Sequence, residues 1–146
     1  MSYRLAWAGD KLLTFMKLII LCIASLFAWS SSLAAEKETR FFEMRTYYAA
    51  PGKLDNLLAR FRDHTTKLFE KHGMVNVGYW TPATNSENKL IYLLAYPSRD
   101  AREKSWKAFG ADPVWQKVAR ESERDGKLVN KVESVFLAPT DFSPIK

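Results

Sequence analysis

Cysteine occurs once in the 146 residues, as Cys22 within an apolar N-terminal run. Loss of that run would leave a chain with no disulfide, no thiol nucleophile and no cysteine metal ligand. Histidine is almost as scarce, at His64 and His72 only. On a helix, eight residues of separation place two side chains roughly 12 Å apart along the axis and about 80° apart around it. The pair cannot share a metal, and neither has a cysteine or acidic partner at ligand spacing, so no metal site is expected. Glycine-rich phosphate loops and nucleophilic triads are missing too. No apolar run approaches the roughly 20 residues that cross a bilayer; the run from Leu18 to Trp29 holds 12. Charge of one sign is not concentrated. The net charge is +6, spread along the chain and without a base-reading or stacking motif, so nucleic acid is not an expected partner.

The N-terminus has the order of a secretory signal. Arg4, Lys11 and Lys17 precede the apolar run, and Ser30 to Ala35 follow it, with Ser32 and Ala34 at the small −3 and −1 positions. Cleavage after Ala34 is the first expectation and after Ala35 the second. Met16, followed by Lys17, would by itself open a compact signal, which makes it an alternative start. Leu21 before Cys22 argues against lipid attachment, and the solid apolar block argues against a mitochondrial presequence. The expected location is periplasmic or secreted, with no stable membrane span after cleavage. Removal of 1–34 takes three basic residues and one acidic residue, Asp10, and leaves a net charge of +4. The remaining domain of about 110 residues must gain its stability from core packing or from a partner chain.

Residues 35–40 read as a flexible lead-in, 41–138 as one domain and 139–146 as an irregular tail. Phe41 to Tyr48 alternates as a strand, with Phe42, Met44, Thr46 and Tyr48 on one face and Phe41, Glu43, Arg45 and Tyr47 on the other. Pro51-Gly52 opens a helix to about His72, with Leu54, Leu57, Leu58, Phe61, Thr65, Leu68 and Phe69 on one stripe and Gly73 as terminator. Met74–Thr81 and Lys89–Tyr96 form a hairpin around a polar loop, and the second of these strands is apolar on both faces. A helix through Phe109 follows, with Ala101, Ser105, Ala108 and Phe109 turned inward. Asp112-Pro113 restarts it, and Leu128–Leu137 is the last strand. The order β-α-β-β-α-β predicts an α+β, ferredoxin-like fold, an antiparallel four-stranded sheet with both helices on one face. The other face, expected to carry Phe41 and Tyr47, would stay apolar and open, which predicts a homodimer packed sheet to sheet.

Glu43-Met44-Arg45-Thr46-Tyr47 followed by Pro51-Gly52-Lys53 resembles the opening signature of the NIPSNAP family. His72-Gly73, Gly78-Tyr79-Trp80, Asn88 before an apolar strand ending at Tyr96, then Arg102 and Ala111-Asp112-Pro113-Val114-Trp115 continue the resemblance, which covers nearly all of 41–137. It implies a dimeric α/β-barrel and little about chemistry, since the family has no agreed reaction. Its eukaryotic members are associated with mitochondria and with vesicle or autophagy roles, from which an exported chain departs. The same fold hosts cofactor-independent monooxygenases and haem-handling enzymes, an analogy of fold only.

Glu43, Arg45 and Tyr47 are candidates for ligand orientation inside the barrel; the structural reading, which the sequence favours, is an ion pair at the dimer interface. His64 borders the helix stripe and is the candidate general base or single haem ligand. His72 reads as a packed terminal histidine. Tyr79 and Trp80 are candidate pocket aromatics, with Tyr92, Trp106 and Trp115 supplying further aromatic surface. Trp106 lies off its helix's inner stripe and is expected at the surface, and Arg60, Arg62, Lys67 and Lys71 are expected on a solvated face. Two functions remain open. One is a non-catalytic homodimer, needing no cofactor, that binds a small apolar molecule or a partner. The other is a cofactor-independent monooxygenase or haem-handling enzyme using His64 with Arg45 or Tyr47. A cavity between helices and sheet reached by His64 would favour the enzyme; an interior filled by side chains would favour binding.

Overall fold

The aromatic alternation at the start of the domain forms β1, Phe41–Ala49, in a computed structural model that describes residues 40–146. The expected leader, its cleavage site and the lead-in as far as residue 39 lie outside the described residues. β2 (Val75–Trp80), β3 (Lys89–Tyr96) and β4 (Val129–Leu137) complete one sheet of order β2-β3-β1-β4. Every pairing is antiparallel. The topology is ferredoxin-like. β3, buried along much of its length, pairs on both edges with β2 and β1, as its two apolar faces predict.

α1 runs through 54–71 in three segments: α-helical Leu54–Arg60, π-helical Phe61–Thr65 and α-helical Thr66–Lys71. The π turn follows from the sequence spacing. Four residues overshoot a 3.6-residue turn by about 40°, so Leu57, Phe61, Thr65 and Phe69 would spiral off the core in a regular helix. A wider turn brings them back, and all four are buried. The Thr65 hydroxyl donates to the Arg60 carbonyl at 3.2 Å, within that turn. At the helix end, Gly73 takes φ +76°, its N–H bonds to the Glu70 carbonyl and that of Met74 to the Phe69 carbonyl. This paired closure is the one that a left-handed glycine permits.

α2 (Arg99–Ala111) and α3 (Pro113–Ser122) meet at Asp112. The Asp112 carboxylate accepts the Val114 N–H at 2.8 Å, capping α3, and also takes bonds from Lys71 and His72, both at 2.7 Å. These hydrogen bonds hold its pKa well below the usual carboxylate range. His72 thus ties the end of α1 to the start of α3.

The faces of β1 are opposite to expectation. Phe41, Glu43, Arg45 and Tyr47 lie under the helices, not on the open side: Trp106 and Arg102 of α2 contact Glu43, and Phe61 of α1 packs on Tyr47. Charge on that face suggested an ion pair at a dimer interface, but α2 carries its own cations and donors to meet it. The open face instead carries Met44 paired with Leu93 and Val135, and Thr46 paired with Ile91. The exposed side chains of Val75, Trp80 and Leu137 extend it. The tail bends back at one end of this face, where Pro139, Thr140, Ser143 and Ile145 line a hollow with Phe42 and Leu93.

Candidate functional site

Beneath α2, Glu43 is fully buried and its two oxygens meet six donors. Oε1 accepts from Arg45 Nη1 at 2.8 Å, Arg102 Nη2 at 2.8 Å and Ser134 Oγ at 2.5 Å. Oε2 accepts from Arg102 Nε at 3.0 Å, Tyr96 Oη at 3.1 Å and Trp106 Nε1 at 3.1 Å. Three strands and one helix therefore converge on one carboxylate. Arg45 lies over the Trp106 ring at 4.4 Å, so the indole binds the cation through its face and the anion through its edge.

Burial alone would raise the Glu43 pKa, but the hydrogen bonds from Arg102, Ser134 and Arg45 overcome it and bring it down to about 2. A carboxylate offers about four lone-pair directions, and six donors leave none for a ligand. Glu43 is consequently neither a proton donor near neutrality nor a binding group. Burial raises the pKa of Tyr92, Tyr79 and Tyr96, with help from neighbouring groups, and keeps the phenols protonated.

Next to this sealed centre is an open groove of about 390 Å³, on the helix side of the sheet beside β4. Tyr47, Trp115 and Val132 give it aromatic and aliphatic walls, and Arg60, Glu123 and Lys127 give it polar groups. Tyr47 is held edge-on by both Phe61 (5.7 Å) and Tyr92 (5.3 Å), and Arg60 stands 5.3 Å from the Trp115 ring. Arg60 is only 7% exposed, contrary to its expected place on a solvated face, because α3 packs across α1 at that point.

The expected site residues are thus divided. Glu43, Arg45 and Tyr47 come together, and Tyr79 joins them through its stack on Tyr92 at 5.5 Å. Trp80 lies on the opposite face of the sheet, where its ring covers Gly78 so closely that a side chain there would collide with it. His64 is exposed on the outer side of α1, in a polar hollow of about 230 Å³ shared with Asp63 and Glu121. The space between helices and sheet is filled by Phe61, Phe69, Tyr92 and Phe109, and His64 does not reach it. Tyr96, Ser134, Arg60 and the inward role of Trp106 were not legible as site features. Arg102 stood in the family signature without a role attached, and Trp106 had only its fixed distance from Ser105 and Phe109 to reveal it. No cluster of metal-binding side chains occurs among the described residues, and no helix there is long and apolar enough to cross a membrane.

Comparison with known proteins places the fold. The NIPSNAP family profile matches residues 42–144. A NIPSNAP family protein of unknown function from Agrobacterium tumefaciens is 26% identical, with a TM-score of 0.66 over 76% of this chain and 97% of that one. An uncharacterised NIPSNAP domain protein from Burkholderia xenovorans is 28% identical, with a TM-score of 0.62 over 71% and 98%. A putative antibiotic biosynthesis monooxygenase from Bacteroides thetaiotaomicron, 17% identical with a TM-score of 0.51 over 73% and 93%, shares the fold alone. No curated protein matches the chain. The signature read along 41–137, the ferredoxin-like topology and the profile match agree: the chain belongs to the NIPSNAP family.

Proposed function

We propose that the mature chain is an exported homodimer that binds a small, flat, apolar molecule in the groove between Tyr47, Trp115 and Val132, without transforming it. One observation carries this reading: the polar centre at Glu43 is closed by its own side chains, while the aromatic groove beside it stays open. Binding sites of this size are mostly apolar walls with a few fixed polar groups, and the groove has that make-up. The oxygenase alternative draws on the fold shared with the Bacteroides protein. It loses support because His64 faces the outer hollow and Glu43 is saturated.

Assembly through the open face is part of the proposal. Val75, Trp80, Val135 and Leu137 are exposed there around half-buried Met44, Ile91 and Leu93. Two copies of one such sheet would bury these rows against each other about 10 Å apart. Native mass spectrometry of the protein as isolated tests the whole reading. The expected result is twice the mass of the chain cleaved after Ala34, with a retained small molecule or one taken up from an aromatic library. A monomer that takes up nothing would overturn it.

A further inference from the structure

The groove contains a cation whose environment is unfinished. Arg45 and Arg102 are each about 15% exposed at the side chain and share the Glu43 carboxylate at 2.8 Å. Arg60 is buried more deeply, with 6% of its side chain exposed, and has no comparable partner among the described residues. From Nη1 it reaches only Ser122 Oγ at 3.3 Å and the Glu123 carboxylate at 3.4 Å, both long for such bonds. Its buried Nε has no acceptor among the described residues. A guanidinium taken this far out of water is ordinarily forked onto a carboxylate or phosphate. Here no described residue supplies the forked anion.

We infer that the groove takes a flat organic acid, its ring against Tyr47, Trp115 and Val132 and its anionic group on Arg60. The inference rests on the binding reading above and narrows its ligand from a wholly apolar molecule to an apolar ring that carries one anionic group. The surroundings fit an acid better than an alcohol or an amine. Trp115 backs the guanidinium and fixes its plane. Lys127 and Lys131, exposed on the rim, add positive charge on the way in, and Glu123 is the one acidic side chain of the lining among the described residues. Glu123 is itself exposed and weakly held, so an incoming carboxylate can displace it from Arg60 into water. The exposed apolar wall of Val132 and the groove volume of about 390 Å³ suit one or two fused rings.

The test compares 2-naphthoate with 2-naphthylmethanol, of the same shape but uncharged, by calorimetry on protein purified after expression of the full chain. NMR of the Trp115 indole N–H reports location. The acid is expected to bind at least tenfold more tightly than the alcohol and to shift the Trp115 resonance. Arg60→Met should level the two ligands. Val132→Trp, which fills the groove and leaves Arg60 in place, should weaken both, and it serves as the test if the Arg60 variant does not fold. Equal affinity for acid and alcohol in the native protein would overturn the acid assignment and leave the groove reading intact. Binding of neither would overturn both. A preference for the acid that survives Arg60→Met, or acid binding undiminished by Val132→Trp, would place the anion elsewhere and sink the inference.

Discussion

Glu43 is the residue on which most of the buried charge depends. Its neutral isostere tests that directly: Glu43→Gln would leave Arg45 buried without its counter-charge and Arg102 with only the exposed Glu103 carboxylate at 3.0 Å. Breaking such a pair costs about 3–5 kcal/mol, and urea denaturation should register a loss of that order. The pH dependence has a definite sign. The carboxylate's pKa falls from 4.5 to about 2 on folding, so its contribution is complete above about pH 4.5 and disappears as pH drops through 2. A shift of that size corresponds to roughly 3 kcal/mol. Denaturation midpoints measured between pH 6 and 2 should fall accordingly, with the Glu43→Gln variant flatter over the same window. An equally steep fall in the variant would assign the effect to other carboxylates, with Asp112, whose pKa is also lowered, the next to examine. The pairing of Glu43 with Arg45 was legible in the sequence because they stand two apart on a strand. Its location was not, since Arg102 and Ser134 are 59 and 91 residues away.

Elements were more legible than their orientations. The strands fall within a residue or two of the boundaries that periodicity predicts, and Gly73, Asp112 and Pro113 take their expected positions. The inner face of α2 was misjudged. Ala108 is exposed there, and Arg102 and Trp106 turn inward with Ser105 and Phe109. Both side chains are amphipathic, with long apolar bodies and polar ends, and a simple apolar count sends them outward. The π turn of α1 was foreshadowed in the repeated spacing of four but not identified. Its hydroxyl bond should matter: Thr65→Val keeps the shape and removes the bond to the Arg60 carbonyl. A loss of about 1 kcal/mol is expected, read as a lowered thermal midpoint. Because Arg60 precedes the π turn, the same variant should also weaken the acid preference; an unchanged preference would separate the turn from the groove.

At the scale of the molecule, the open sheet face decides between a lone subunit and a pair. Val135 is 47% exposed on that face, so Val135→Asp should hardly disturb the subunit while placing two buried charges opposite each other across a twofold interface. Sedimentation is expected to show native dimer and variant monomer. Identical sedimentation of the two proteins would remove this face from the assembly. N-terminal sequencing of exported protein should begin at Ala35.

The position of Trp80 gives the proposed assembly its own optical signal. Its indole covers the side-chain-free backbone at Gly78 and is 54% exposed. In a separate subunit, water can relax around the excited ring and its emission is red. Closing a second sheet over it would dry that surface and move the emission to the blue. Simple dilution, followed by fluorescence and without any label, would then trace the association equilibrium, and Trp80→Phe would erase the trace.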